Sequence, residues 1–289
     1  MSPLLPRPGH RLLQCPVCRL DLIAAGNTLA CRNRHSFDLA REGYVNLLRR
    51  KGRQPASGGD TLEQLRHRAT FLDAGHFDPI AMTIAEHVRQ KETKLWRILD
   101  AGSGTGHHLA NIAKALSPDV VGLGLDISPG AARQATRRWP TLAFAVTDLW
   151  TEWPVQDGAV DLLISIFAPK NFPETARVLR RAGWLAVAYP GTDHMTELRD
   201  RFGLMRLHET AARRYTEAVN RFIGPPTVRR LRWQTFLDDA AIRSAILMGP
   251  NAHHVAISRL DGELGPMAVT FEFMVLLARR NGSLQGGVR

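Results

Sequence analysis

A chain of 289 residues with 44% hydrophobic side chains can bury one large or two modest cores, which is ordinary for a soluble globular protein. No apolar run reaches the roughly 18 residues that a membrane-spanning helix needs, and MSPLLPRPGHRLLQ has prolines where a secretory signal needs its apolar stretch. A cytoplasmic protein is therefore expected. The formal net charge is +11, and residues 1–60 carry ten Lys/Arg against four Asp/Glu. Such a basic field attracts polyanions, nucleic acid above all, although a bias towards Arg (33 of the 38 basic residues) also fits a GC-rich genome.

All three cysteines fall in CPVCRLDLIAAGNTLACRNRH, residues 15–35. Three cannot all pair, and in a reducing compartment cysteines so grouped are more often metal ligands than disulfides. Cys15, Cys18, Cys31 and His35 have the number, type and spacing of a closed structural zinc site. CPVC forms a knuckle on which two sulfurs converge, and Asn27 suits the tip between the two halves. The arginines of CRNRH put positive charge on the module's surface. RRKGRQPASGGD, residues 49–60, then reads as a basic, solvated linker.

From Thr61 to about Gln90 apolar residues recur at helical spacing, interrupted at DAGHFDP. Beyond Lys94 short apolar strands alternate with helices. LWRILDAG, VVGLGLDIS, LAFAV, VDLLISI and GWLAVAY read as strands, and HHLANIAKAL and GAARQATRRW as helices. This alternation predicts a parallel sheet with crossover helices. After Asp193 the pattern turns helical (HMTELRDRFG, HETAARRYTEAVNRF, WQTFLDDAAIRSAILM), and VTFEFMVLLARR closes as a strand.

ILDAGSGTGHH carries the enzymatic signal. A strand delivers Asp100, and Gly102, Gly104 and Gly106 follow at alternate positions before a helix. Glycine lets the backbone turn tightly and approach a ligand closely, and the helix aims free N–H groups at it. The run is neither the dinucleotide G-x-G-x-x-G nor a P-loop. An acid beside the loop suits a cationic, phosphate-free cofactor, and S-adenosylmethionine fits. Asp126, ending the second strand, is placed to accept ribose hydroxyls. Asp148, after the third, is placed for an adenine amino group. Phe167, after the fourth, lies where a substrate meets the cofactor and is suited to stack a base.

CPVC with CRNRHSFDLAREGYVNLL, FLDAGHF, LDAGSGTG with LDIS, FAP and YPGTDHMTELR together resemble the bacterial 23S rRNA (guanine-N1)-methyltransferases of the RlmA type, strongly over residues 13–200 and loosely beyond. Within that family the branch from macrolide-producing actinomycetes is most similar. The resemblance implies a Rossmann-like S-adenosylmethionine-dependent methyltransferase domain of α/β class with a mostly parallel sheet. A small zinc-ribbon-like module precedes it. The division expected is 1–48 for the zinc-binding RNA-recognition module, 49–60 for the basic linker and 61–289 for the methyltransferase domain. It implies zinc on Cys15, Cys18, Cys31 and His35, and cofactor contacts at Phe77, Gly104, Thr105 and His194. Thr105 stands where some relatives carry Glu. The implied substrate is guanine N1 in hairpin 35 of 23S rRNA, at position 748 or 745, with macrolide (tylosin) resistance following from 748. A homodimer is compatible with it, and no membrane partner is expected. Two other classes stay open at this stage, a small-molecule methyltransferase of antibiotic biosynthesis and a non-catalytic zinc-ribbon RNA-binding protein.

Overall fold

The computed structural model describes residues 6–48, 59–90, 96–205, 210–253, 260 and 262–282. Arg49, Arg50, Lys51 and Arg53 of the basic linker lie outside the described residues. The apolar runs after residue 96 become strands because they are buried on both faces, as a parallel sheet under helices requires. These are β5 (Arg97–Ala101), β6 (Val121–Asp126), β7 (Ala143–Val146), β8 (Val160–Ile166) and β9 (Leu179–Pro190). Helices α3 (His107–Leu116), α4 (Pro129–Arg138) and α5 (Phe172–Val178) cross between them. The start of α4 is set locally. Ser128 Oγ accepts from the Ala131 N–H, and Pro129 occupies a first-turn position where no N–H is needed.

The N-terminal segment forms a three-stranded antiparallel ribbon, β1 (Ile23–Ala25), β2 (Thr28–Ala30) and β3 (Ser36–Asp38), with Gly26 and Asn27 at the turn. Its last strand, β4 (Val45–Asn46), leaves the ribbon and pairs parallel with β7. The main sheet has eight strands, with β4, β7, β6, β5, β8 and β9 parallel in that spatial order. β11 (Met267–Arg279) then pairs antiparallel with β9, and β10 (Thr227–Leu237) antiparallel with β11 at the edge.

Two layers of core fill the faces. On one, Ile98, Phe144, Ile164 and Phe271 of the sheet meet α1 (Leu62–Asp73), α2 (Asp78–Arg89), α3 and α8 (Asp239–Leu247). On the other, Leu99, Leu123, Leu163 and Val187 pack in one cluster with Val219 of α7 (Thr210–Phe222) and with Leu12, Leu13, Cys15, Leu22, Leu29 and Cys31 of the N-terminal ribbon. The remaining helix, α6 (Thr196–Phe202), follows the β9 loop.

The expected helix WQTFLDDAAIRSAILM divides at Asp238. Its first part belongs to β10, and only Asp239–Leu247 is helical. From Arg230 to Leu237 the residues alternate between exposed and partly buried, the period of a strand with one wet face. Asp238 Oδ1 then accepts from the Ala241 N–H at 2.8 Å and starts the helix. Among the described residues no helix is long and apolar enough to cross a membrane.

Candidate active site and metal centre

Two tight turns build the metal centre. In each a backbone N–H closes back on a cysteine carbonyl, Arg19 to Cys15 and Arg34 to Cys31, both at 2.9 Å. Arg19 and Arg34 hold left-handed φ values of 62° and 64° to do so. The result brings the sulfurs of Cys15, Cys18 and Cys31 and a ring nitrogen of His35 within 4.8 Å of one another. Cys18 and Cys31 sulfurs are 3.6 Å apart, and His35 Nδ1 is 3.5 Å and 3.4 Å from the sulfurs of Cys15 and Cys31. A tetrahedral zinc with its usual bond lengths spaces sulfur from sulfur by about 3.7 Å and sulfur from nitrogen by about 3.5 Å. The four groups therefore fit the ion, and with four protein ligands they close it to water.

The glycine loop leaves β5 at its carboxyl end. Gly102, Gly104 and Gly106 all have positive φ, at 91°, 50° and 75°. Their surroundings differ. A Cβ on Gly102 would lie 2.2 Å from Ala168 Cβ, and one on Gly106 would lie 2.8 Å from the Phe144 ring, so both serve close packing. A Cβ on Gly104 would meet nothing nearer than Arg68 Nη1 at 3.5 Å. Gly104 is thus the one of the three with room for a Cβ, its nearest neighbour being the flexible end of Arg68. Asp126, at the end of β6, ties the loop to the next one. Its Oδ2 accepts from the Gly104 N–H at 2.8 Å and its Oδ1 from the Ser128 N–H at 2.9 Å. Burial raises its pKa, and these two N–H groups pull it back towards the charged form.

Asp100 is buried at the same strand end, 3% exposed, and burial together with the Asp126 charge pushes its pKa up to about 8. Asp148 lies one residue beyond Thr147, whose N–H reaches the Asp126 carbonyl, so it shares the sheet edge. Its Oδ1 accepts from the Trp150 N–H at 2.9 Å.

An aromatic wall borders the loop. Phe77, buried at the start of α2, packs on Phe71, Phe167, Phe271, Phe273 and His194. The His194 ring centroid is 4.5 Å from that of Phe273. Burial, with Arg199 nearby, pushes the His194 pKa down to about 3, so the ring is neutral. Phe167 is 42% exposed and holds φ 56°, a left-handed conformation that a bulky side chain rarely adopts.

Residues 13–51 match the family described as RlmA, N-terminal, and residues 98–184 match the description Methyltransferase domain. A Streptomyces fradiae protein named 23S rRNA (guanine(748)-N(1))-methyltransferase is 39% identical over 84% of this chain and 86% of its own. A protein of Micromonospora griseorubida, assigned as a 23S rRNA (guanine-N(1)-)-methyltransferase, is 38% identical over 92% of this chain and 96% of its own. YxjB of Bacillus subtilis, with the same assignment, is 33% identical over 93% and 97%. The chain belongs to the 23S rRNA (guanine-N1)-methyltransferase family.

As a member of that family it is an S-adenosylmethionine-dependent methyltransferase with a structural zinc ribbon. The cofactor suits the loop on independent grounds. Ser103 Oγ, Thr105 Oγ1, His108 Nδ1 and His194 Nδ1 are buried with no hydrogen-bond partner among the described residues. Buried polar atoms of this kind are costly unless something satisfies them, and these four lie in or beside the loop and the aromatic wall. Sequence reasoning had not singled out three residues here. His108 is held neutral by burial and by His107 and Arg68, its pKa pushed down to about 3. Arg68 of α1 covers Gly104, pairs with Asp60 and donates to the Met248 carbonyl. Lys170 follows Phe167 in the β8 loop. For Lys170 the signal was a charge at the end of an apolar strand. For Arg68, one arginine on a basic helix, there was none.

Proposed function

We propose that the protein transfers a methyl group from S-adenosylmethionine to N1 of a guanine in hairpin 35 of 23S rRNA, at position 748, and so confers macrolide (tylosin) resistance. The observation that carries the position is the Streptomyces fradiae relative, whose name specifies guanine 748. A ribosomal substrate implies a cytoplasmic enzyme.

Each site residue takes a role. Asp126 accepts the ribose hydroxyls on lone pairs left by Gly104 and Ser128, and Asp148 offers its second oxygen to the adenine amino group. Gly102 and Gly106 fix the loop, Gly104 lets the cofactor come close, and Asp100, Thr105, Phe77 and His194 line its far side. When bound, the cofactor supplies an electrophilic methyl group on a sulfonium. Phe167, its ring half-exposed beside Phe77 and Phe273, stacks the target guanine. Stacking there holds N1 in line, and such positioning can lower a barrier by about 7–11 kcal/mol. N1 is a paired position in a duplex, so the guanine is taken from a loop or flipped out, at a cost of a few kcal/mol. Asp148 and His194 are the candidates by location for the N1 proton, and of the two His194 has the neutral ring and, among the described residues, a nitrogen without a hydrogen bond. If His194→Ala leaves the single-turnover rate intact, His194 does not take the proton.

Residues 1–48 form the RNA-docking module on this reading, with 49–60 as linker and 61–289 as the methyltransferase domain. Arg32 and Arg34 are exposed and make no ion pair among the described residues, whereas Arg19 is held by Glu152 and Asp157. Because β4 pairs with β7, deleting the module would strip a sheet edge. Charge reversal at Arg32 and Arg34 is the cleaner perturbation.

Primer extension on 23S rRNA from cells with and without the protein tests the whole reading, since N1 methylation stops reverse transcriptase. A new stop at guanine 748 is expected. A stop at 745 would move the site. No stop, with a methyl mass gain on a small molecule, would replace the substrate.

A further inference from the structure

Of the six tryptophans, Trp96, Trp153 and Trp184 are buried, and Trp139 and Trp233 are partly buried. Trp150 is 70% exposed. So large an apolar side chain is usually well covered. The turn that carries it, residues 148–153 after β7, is nonetheless fixed from several sides. Asp148 Oδ1 accepts from the Trp150 N–H at 2.9 Å, and Thr151 Oγ1 donates to the Asp148 carbonyl at 2.9 Å. Asn171 Nδ2 donates to the carbonyls of Leu149 and Thr151, the residues on either side of Trp150, at 3.0 Å and 3.3 Å. Trp153 Nε1 also donates to the Leu149 carbonyl, at 3.0 Å, and the Trp153 N–H donates to Glu174 Oε2 at 2.7 Å.

This turn joins the zinc ribbon to the loop after β8. Glu152 pairs with Arg19 of the first zinc turn at 2.9 Å. Asn171 belongs to the loop that carries Phe167, and its side chain caps α5. The glycine loop meets both turns at one residue. A Cβ on Gly102 would lie 2.2 Å from Ala168 Cβ and 3.7 Å from Leu149 Cδ1. Phe167 precedes Ala168, and Trp150 follows Leu149. Each of these two exposed rings is thus one residue from a side chain packed at Gly102.

A ring on a turn held this firmly loses little freedom when something stacks on it. The family acts on RNA, and every unpaired base offers a flat face whatever its sequence. Drawing a guanine out of its pair also frees its neighbours from their stack. We propose that Trp150 stacks a second base of the rRNA, close in sequence to the target guanine, while Phe167 holds the guanine itself. This rests on the rRNA reading above and adds a positioning residue to it. Stacking tolerates any base, so Trp150 acts on the register of the RNA more than on its sequence.

Methylation kinetics on a 23S rRNA fragment carrying the hairpin test this. In the full zinc-loaded chain, Trp150→Ala should lower kcat/KM for the RNA by about 10- to 100-fold, the range of one lost base stack. Trp150→Phe, which keeps a ring, should recover most of the loss. S-adenosylhomocysteine affinity, measured by calorimetry, should change by less than about twofold. Fragments with one abasic nucleotide, moved through the positions flanking the guanine, then locate the partner. At one position, loss of the base should slow the wild type and slow Trp150→Ala no further. A matching loss of S-adenosylhomocysteine affinity would overturn the proposal, because Trp150 would then cover the adenine beside Asp148. Wild-type kinetics in Trp150→Ala would overturn it, as would abasic losses that add to the variant's own at every position. Failure of the wild type to methylate either the fragment or whole 23S rRNA would overturn the rRNA reading and this proposal with it.

Discussion

A methyl group added at Gly104 should separate folding from cofactor binding. Gly104 has φ 50°, a region open to alanine at a cost of about 1 kcal/mol, and the nearest atom to its Cβ is Arg68 Nη1 at an ordinary 3.5 Å. Gly104→Ala should therefore lower Tm by only about 2–4 °C in a protein of this size. The same methyl group stands in the space over the loop where the cofactor must come close. Affinity for S-adenosylhomocysteine should fall by at least about tenfold, since that is about 1.4 kcal/mol and one steric conflict readily exceeds it. Gly102→Ala is the contrast. Its φ is 91° and its Cβ would lie 2.2 Å from that of Ala168, an overlap inside the packed fold. That variant should lose about 3 kcal/mol of stability or more. Thermal unfolding and calorimetry on the two proteins give the answer. A well-folded Gly104→Ala that binds S-adenosylhomocysteine like the wild type would refute the reasoning, since the cofactor would then not cross Gly104.

Asp100→Asn in the cofactor-free protein should reveal the buried carboxyl by its pH dependence. A folded pKa of about 8, above the ordinary 3.8, gives a stability contribution that is full below about pH 4 and is lost as pH rises to about 8. The asparagine variant should thus gain on the wild type as pH rises, by at most about 4 kcal/mol at pH 7, and a gap that is constant from pH 5 to 8 in urea titrations would contradict this. Phe167→Ala should lower kcat/KM for rRNA by about 10- to 100-fold, one base stack of about 1–3 kcal/mol, with S-adenosylhomocysteine affinity unchanged; unchanged rRNA kinetics would remove Phe167 from the base site. Cys18→Ser should release zinc, lower Tm and abolish rRNA methylation while S-adenosylhomocysteine still binds, and full rRNA activity in a protein shown by metal analysis to lack zinc would disprove the docking role. Arg32→Glu with Arg34→Glu should weaken rRNA binding and flatten its dependence on log salt; an unaltered slope would put the RNA elsewhere on the molecule.

What could be read from the sequence was whatever has a local period or a fixed spacing. The zinc ligands are set by two short turns, so spacing alone found them. The strands β5 to β9 are apolar on both faces, and the helices between them begin and end on local signals such as Ser128 and Pro129. β10 was different. TVRRLRWQTFL owes its conformation to pairing along its whole length with β11, some forty residues on, and its own residues carry too much charge to announce a core strand. The site divides in the same way. Asp100, the three glycines and Asp126 lie within one strand-loop-helix-strand unit, whereas Arg68 reaches Gly104 from α1, and Tyr215 reaches Lys170 from α7. Contacts between distant segments leave no period to read.

The docking of the ribbon on the sheet bears on how a ribosomal RNA loop would be placed. Arg7 donates to the Leu142 and Thr136 carbonyls, 2.7 Å and 3.1 Å away, and Leu47 donates to the Val146 carbonyl at the end of β7. Gly9 lies so close to β6 that a Cβ there would be 2.1 Å from the Gly122 carbonyl oxygen. Cys15 and Cys31 share one apolar layer with Leu99, Leu123 and Leu163 of the sheet. A module held by backbone pairing, buried hydrogen bonds and a common core does not swing on a hinge. The zinc centre and the glycine loop are therefore parts of one rigid frame, their separation fixed by β7 and β6. RNA gripped by Arg32 and Arg34 would meet the cofactor at a set distance, which selects a nucleotide by its position along the RNA as well as by its base.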